Sequence, residues 1–96
     1  MYVLITYDVK TSEAEGRKRL RKVAKCCQQY GQRVQDSVFE CLVDGSSFVK
    51  LRGELLSVID VELDSIRIYH MGKNYQSKIE QYGKETSYKI EGELIV

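Results

Sequence analysis

Apolar and polar positions along this chain fall into two rhythms, one of period two and one of period 3.6. Residues 2–7, YVLITY, are rich in types that suit a pleated, buried surface and predict a short strand, with residues 8–11 as a connection. A helical rhythm follows. Gly16, Leu20, Val23, Ala24 and Cys27 share one face, predicting a helix that runs to about residue 30 and packs on a sheet. Ser12-Glu13-Ala14-Glu15 has capping-box spacing at its start, and Gly31 reads as its left-handed terminator.

In residues 33–43, RVQDSVFECLV, Val34, Val38 and Leu42 alternate with Phe39, Cys41 and Val43. That pattern predicts one long strand with partner layers on both faces. Asp44-Gly45-Ser46-Ser47 turns the chain and supplies a cap for a second helix over about 47–59, with Phe48, Leu51, Leu55, Val58 and Ile59 facing inward. Residues 64–71, DSIRIYHM, alternate again, Ile66 and Ile68 against Arg67 and Tyr69, and Gly72 ends the strand. Residues 73–87 are polar and rich in tyrosine, with a short strand at 77–82, and the terminal YKIEGELIV reads as a further strand. Its apolar end would be a liability unless it added to a sheet edge, so 73–96 is expected to pair at an interface between two copies. The order predicts an α+β, ferredoxin-like βαββαβ domain over 1–96 with an additional C-terminal strand. Its antiparallel sheet is covered on one face by two helices, and the bare face is where such domains often dimerise. That fold hosts many chemistries and decides none of them.

Ninety-six residues suffice for one two-layer core but not for a large enclosed active site, so a catalytic site would be shallow or shared between subunits. No apolar run approaches the roughly 20 residues of a membrane span, and the first stretch lacks the basic leader of a signal peptide. A cytoplasmic location without membrane association is the expectation. Cys26, Cys27 and Cys41 lack C-x-x-C spacing and have no histidine nearby, so they read as buried small hydrophobes rather than as a zinc site or nucleophile. The net charge of +1 conceals an asymmetry: Lys10 to Arg33 holds eight basic residues against Glu13 and Glu15. Six of them, Arg17, Lys18, Arg19, Arg21, Lys22 and Lys25, stand within nine positions of the first helix. A charge run is ordinarily a solvated face, but this one meets few acids and favours phosphate.

Three stretches are more specific. The first strand ends in Tyr7-Asp8, Arg17-Lys18-Arg19-Leu20 opens the helix, and Arg33-Val34-Gln35-Asp36-Ser37-Val38-Phe39-Glu40 begins the next strand. With Ile66-Arg67-Ile68-Tyr69 and Leu94-Ile95-Val96, they make the chain resemble, over essentially its whole length, the small CRISPR-associated nuclease family. That family is the smaller of the two proteins found across spacer-acquisition systems. The resemblance implies a homodimer in which Asp8 binds Mg²⁺ or Mn²⁺. Tyr7, Arg17, Arg19, Arg33 and Phe39 stand at positions associated with activity. It implies cleavage of RNA or double-stranded DNA, and a bridging role holding DNA between pairs of the larger CRISPR integrase subunit. The spacing from Asp8 to Arg17 is longer than in many relatives.

The chemistry is consistent with this. Metal-assisted phosphodiester hydrolysis needs an oxygen ligand, room for waters and cations to hold phosphate. One Asp8 is a poor site, but two copies on a two-fold axis would supply two carboxylates, with Arg33, Arg17 and Arg19 to hold the phosphate; the resemblance adds Tyr7 to Asp8 and Arg33 in the catalytic set. Read without the resemblance, Asp8 is a turn residue, Phe39 is core, Ser37 is a polar strand residue and His70 a structural imidazole. Tyr75, Tyr82 and Tyr88 read as interface packing. A non-catalytic DNA-binding dimer and a toxin-type ribonuclease of the same fold are the competing functions.

Overall fold

Seven elements arise from these rhythms in a computed structural model that describes residues 1–72 and 78–84. They are β1 (Tyr2–Asp8), α1 (Ala14–Gln28), β2 (Gly31–Gln35), β3 (Val38–Leu42), α2 (Gly45–Val58), β4 (Ser65–His70) and β5 (Lys78–Gly83). The strands form one sheet in the order β2-β3-β1-β4-β5, and every neighbouring pair is antiparallel. This is the expected α+β architecture, with β5 added beside β4 within the same chain. The terminal stretch 85–96, with Tyr88, and residues 73–77, with Tyr75, lie outside the described residues.

Alternation along β1 sets the two faces of the sheet. Val3, Ile5 and Tyr7 are buried beneath the helices, while Tyr2 and Asp8 are exposed on the other side, with Leu4 and Thr6 half-buried between them. Phe39 and Cys41 from β3, and Ile66 and Ile68 from β4, extend the covered face. Val23 and Cys27 from α1 and Phe48, Leu51 and Leu55 from α2 close the core over it. Asp44 caps α2 as expected, its carboxylate accepting from the Ser47 amide at 2.8 Å.

Three local expectations are corrected. Residues 33–43 are not one strand but the hairpin β2–β3, turning at Asp36 and Ser37 with a bulge between Arg33 and Gln35. Asp36-Ser37 is a polar pair with turn chemistry, and it breaks the alternation between Val34 and Val38. Partner layers do not cover both faces of β3 either, for Leu42 is 78% exposed. Second, α1 begins after Glu13 with no side-chain cap, so the capping box at Ser12 does not form. Third, Gly31 is not a left-handed terminator, because among the described residues only Gly83 has a positive φ. Gly31 opens β2 and is required by close approach. A Cβ there would lie 2.2 Å from the Glu40 carbonyl oxygen and 2.5 Å from Cys41 Sγ.

All three cysteines are free and buried, and burial pushes the Cys26 thiol up to about 12. None has the thiolate character a nucleophile requires.

Candidate functional site

Asp8 closes β1 opposite Ser65 of β4, and the strand's period of two turns its side chain toward the bare face of the sheet. It is exposed and joins no ion pair among the described residues. Its row on that face is Tyr2, Leu4, Thr6 and Asp8. On β3 and β4 the row is flanked by Val38, Glu40 and Leu42 and by Arg67 and Tyr69. The only charged neighbours in direct register are Glu40 and Arg67, which meet Leu4 and Thr6. Among the described residues no group of three or more His, Cys, Asp or Glu could hold a metal ion. Asp8 is thus a hard oxygen donor standing exposed at the strand end, with no ion-pair partner among the described residues.

Tyr7 and Arg33 gather elsewhere. Tyr7 points to the covered face and stacks on Phe39, with ring centroids 6.2 Å apart and planes 22° from parallel. The Arg33 guanidinium lies over Phe39 with Cζ 5.1 Å from the ring centroid. Phe39 is wholly buried, so it supports its two neighbours and is closed to a nucleobase. Burial raises the Tyr7 hydroxyl above its usual range, with Arg33 opposing the shift. The Tyr7 amide donates to the Ser37 carbonyl at 3.1 Å, tying the Asp8 end of β1 to the hairpin turn. Tyr7, Arg33 and Phe39 thus form one stack, while the Asp8 side chain leaves the strand in the opposite direction.

The basic residues of α1 divide in two. Arg17, Lys18, Arg21, Lys22 and Lys25 are exposed, on the side of the helix away from the sheet. Arg19 turns the other way and grips Asp64, Nε to Oδ2 at 2.7 Å and Nη2 to Oδ1 at 3.2 Å. Asp64 is fully buried and also accepts from the backbone amides of Lys10, at 3.1 Å, and Asp60, at 2.9 Å. Burial opposes its ionisation, but Arg19 and these amides outweigh burial and hold the carboxyl below the usual range. Sequence reasoning missed Asp64. Its signal was an acid placed immediately before an apolar strand, which reads equally well as a turn.

A second unforeseen cluster surrounds Glu80 on β5. Its carboxylate meets Arg52 Nη1 at 2.9 Å, His70 Nε2 at 2.6 Å and the Tyr82 hydroxyl at 2.6 Å. The His70 ring also meets Phe48 edge-on at 5.1 Å, giving it the structural setting expected of it. A groove of about 690 Å³ is at the opposite end of β1 from Asp8, against Tyr2, Tyr30, Glu40 and Leu42.

Comparison with known proteins now bears on this arrangement. A profile of the CRISPR associated protein Cas2 family matches residues 1–79. The chain belongs to that family. It is 59% identical over 95 residues to the CRISPR-associated endonuclease Cas2 of Halalkalibacterium halodurans, covering 99% of both chains. It is 53% identical to the CRISPR-associated endoribonuclease Cas2 of Chlorobaculum tepidum, over the full length of both. The fold matches the crystal structure of Streptococcus pyogenes Cas2 at pH 6.5 with a TM-score of 0.71 and 57% identity, over 78% of this chain and 90% of that one. The resemblance read from Tyr7-Asp8 and the RVQDSVF stretch is therefore a family relation. Among the described residues, no helix of this Cas2 family member is long and apolar enough to cross a membrane.

Proposed function

We propose that this protein is a divalent-metal-dependent endonuclease of CRISPR adaptation, working as a homodimer. The observation that carries the reading is Asp8 itself: an exposed carboxylate on the bare face of the sheet, at a fixed strand end, in no ion pair among the described residues. The endonuclease and endoribonuclease names of its Cas2 relatives support it. Packing two bare faces about a two-fold axis brings Asp8 toward its mate, and the pair would hold Mg²⁺ or Mn²⁺. Bound there, the cation supplies charge stabilisation to the phosphoryl group and acidity to the attacking water. Arg33, its guanidinium held over Phe39, supplies a preorganised cation on the neighbouring hairpin β2–β3, and Tyr7 ties that stack to β1.

The exposed arc of α1 favours a second role for the same dimer, as a DNA-bridging subunit beside the larger integrase. Arg17, Lys18, Arg21, Lys22 and Lys25 follow a phosphate backbone without reading bases. The experiment is cleavage of single-stranded RNA and of duplex DNA with Mg²⁺ or Mn²⁺, comparing wild type with Asp8→Ala. The expected outcome is a loss of at least about 100-fold with folding and DNA binding intact. Equal cleavage by a rigorously purified Asp8→Ala protein overturns the catalytic role and leaves the architectural one.

A further inference from the structure

Asp8 is exposed at the end of a strand, where a side chain and the following loop are ordinarily free to move. Two residues on, the backbone is pinned from both sides. The Lys10 amide donates to Asp64 Oδ1 at 3.1 Å. The Lys10 carbonyl is packed so closely on α1 that a Cβ at Gly16 would lie 1.8 Å from its oxygen. Asp64 takes a fork from Arg19 and the Asp60 amide as well, so one wholly buried carboxylate joins the β1–α1 connection, α1 and the α2–β4 connection. Its chain neighbour Ser65 is the register partner of Asp8. The connection from β1 to α1 is thereby folded back onto the end of the sheet instead of swinging out.

We infer that Asp64 is the positioning residue for Asp8, and that Arg19 belongs to this clamp rather than to the nucleic-acid surface. The inference rests on the reading of Asp8 as a metal ligand. It adds a supporting residue from a different segment and removes one cation from the phosphate-contacting set. Arg19 is 18% exposed, and its forked donors are committed to Asp64.

The test titrates Mn²⁺ alone into wild type, Asp8→Asn, Asp64→Asn and Arg19→Lys, with Leu55→Ala as a core-weakened control away from the clamp. Asp64→Asn and Arg19→Lys should weaken Mn²⁺ binding about tenfold or more, the range for groups that orient a metal ligand. Leu55→Ala should lower the melting temperature and leave Mn²⁺ affinity unchanged. Wild-type affinity in the folded Asp64→Asn and Arg19→Lys proteins overturns the inference, as does an equal loss in Leu55→Ala. Two further readouts do not involve the metal. Exchange of the Lys10 amide should accelerate in Asp64→Asn and Arg19→Lys. The salt dependence of DNA binding should keep its slope in Arg19→Lys and Arg19→Gln and lose about one unit in Lys22→Gln. A Lys10 amide as protected as in wild type, or a slope reduced by Arg19→Gln, also overturns the clamp. Retention of Mn²⁺ binding by Asp8→Asn would count against the metal reading alone, and these two readouts would then decide the clamp.

Discussion

Glu80 illustrates how much a single residue can carry when three donors converge on it. Burial opposes its charge, but hydrogen bonds from Tyr82, His70 and Arg52 outweigh it and bring the carboxyl down to about 2 from an ordinary 4.5. A folded value below the unfolded one means that the unfolded chain binds the proton more readily as pH falls. The stabilisation is present in full above about 4.5 and is lost as the pH drops toward about 2. The stability gap between wild type and Glu80→Gln should accordingly be widest near neutral pH and close across that window, measured by urea denaturation at stepped pH. A gap independent of pH would show that the carboxylate's charge does not matter. No periodicity in the sequence could have revealed this network, because Arg52, His70 and Glu80 come from three elements whose approach depends on the finished sheet.

At the scale of elements, legibility tracked whether the signal was local. The second helix was readable to within two residues at its start because its cap is made by neighbours, Asp44 accepting from Ser47. The first helix carried an equally good local signal in Ser12 and Glu15, yet tertiary contacts won: the packing of Gly16 on Lys10 and the Arg19 fork fix where α1 begins. The two caps should therefore respond differently. Asp44→Ala should lower the midpoint of thermal unfolding by roughly 4–8 °C, whereas Ser12→Ala should leave it within experimental error. A large effect at Ser12 would mean that the capping box forms after all. The hairpin was misread for a related reason. Two short strands joined by two polar residues alternate much as one long strand does, and only pairing with β1 distinguishes them. For the site, the position of Asp8 and the basic arc were legible. That Tyr7 faces away from Asp8 follows from strand alternation, but that Arg19 turns inward does not, since its partner is distant in sequence.

Among the described residues the molecule is a sheet with one face covered by helices and one face bare. The bare side carries half-buried Leu4, Val38 and Tyr69 beside Leu42, the most exposed of the large apolar residues described. With Ile79 at 44% exposure on β5, this is the surface on which the proposed dimer would pair. A charge at its centre should be intolerable to that pairing. Leu4→Arg should shift the protein from dimer to monomer in sedimentation velocity at micromolar concentration and abolish cleavage with it, while the circular dichroism spectrum stays native. A wild-type protein that is already monomeric would refute the paired-carboxylate site at once.

The outer strand β2 has a consequence that concerns crowding rather than catalysis. Every residue of it after Gly31 is exposed, and an unpaired strand at a sheet's margin is a template on which other molecules can polymerise. Gln32, Arg33 and Gln35 make that margin polar, and the bulge between Arg33 and Gln35 spoils its regularity. Arg33 then guards against fibre growth, besides the phosphate-holding role proposed for it. A bulky apolar residue in its place would endanger solubility whatever it did to turnover, so colloidal behaviour alone constrains this position.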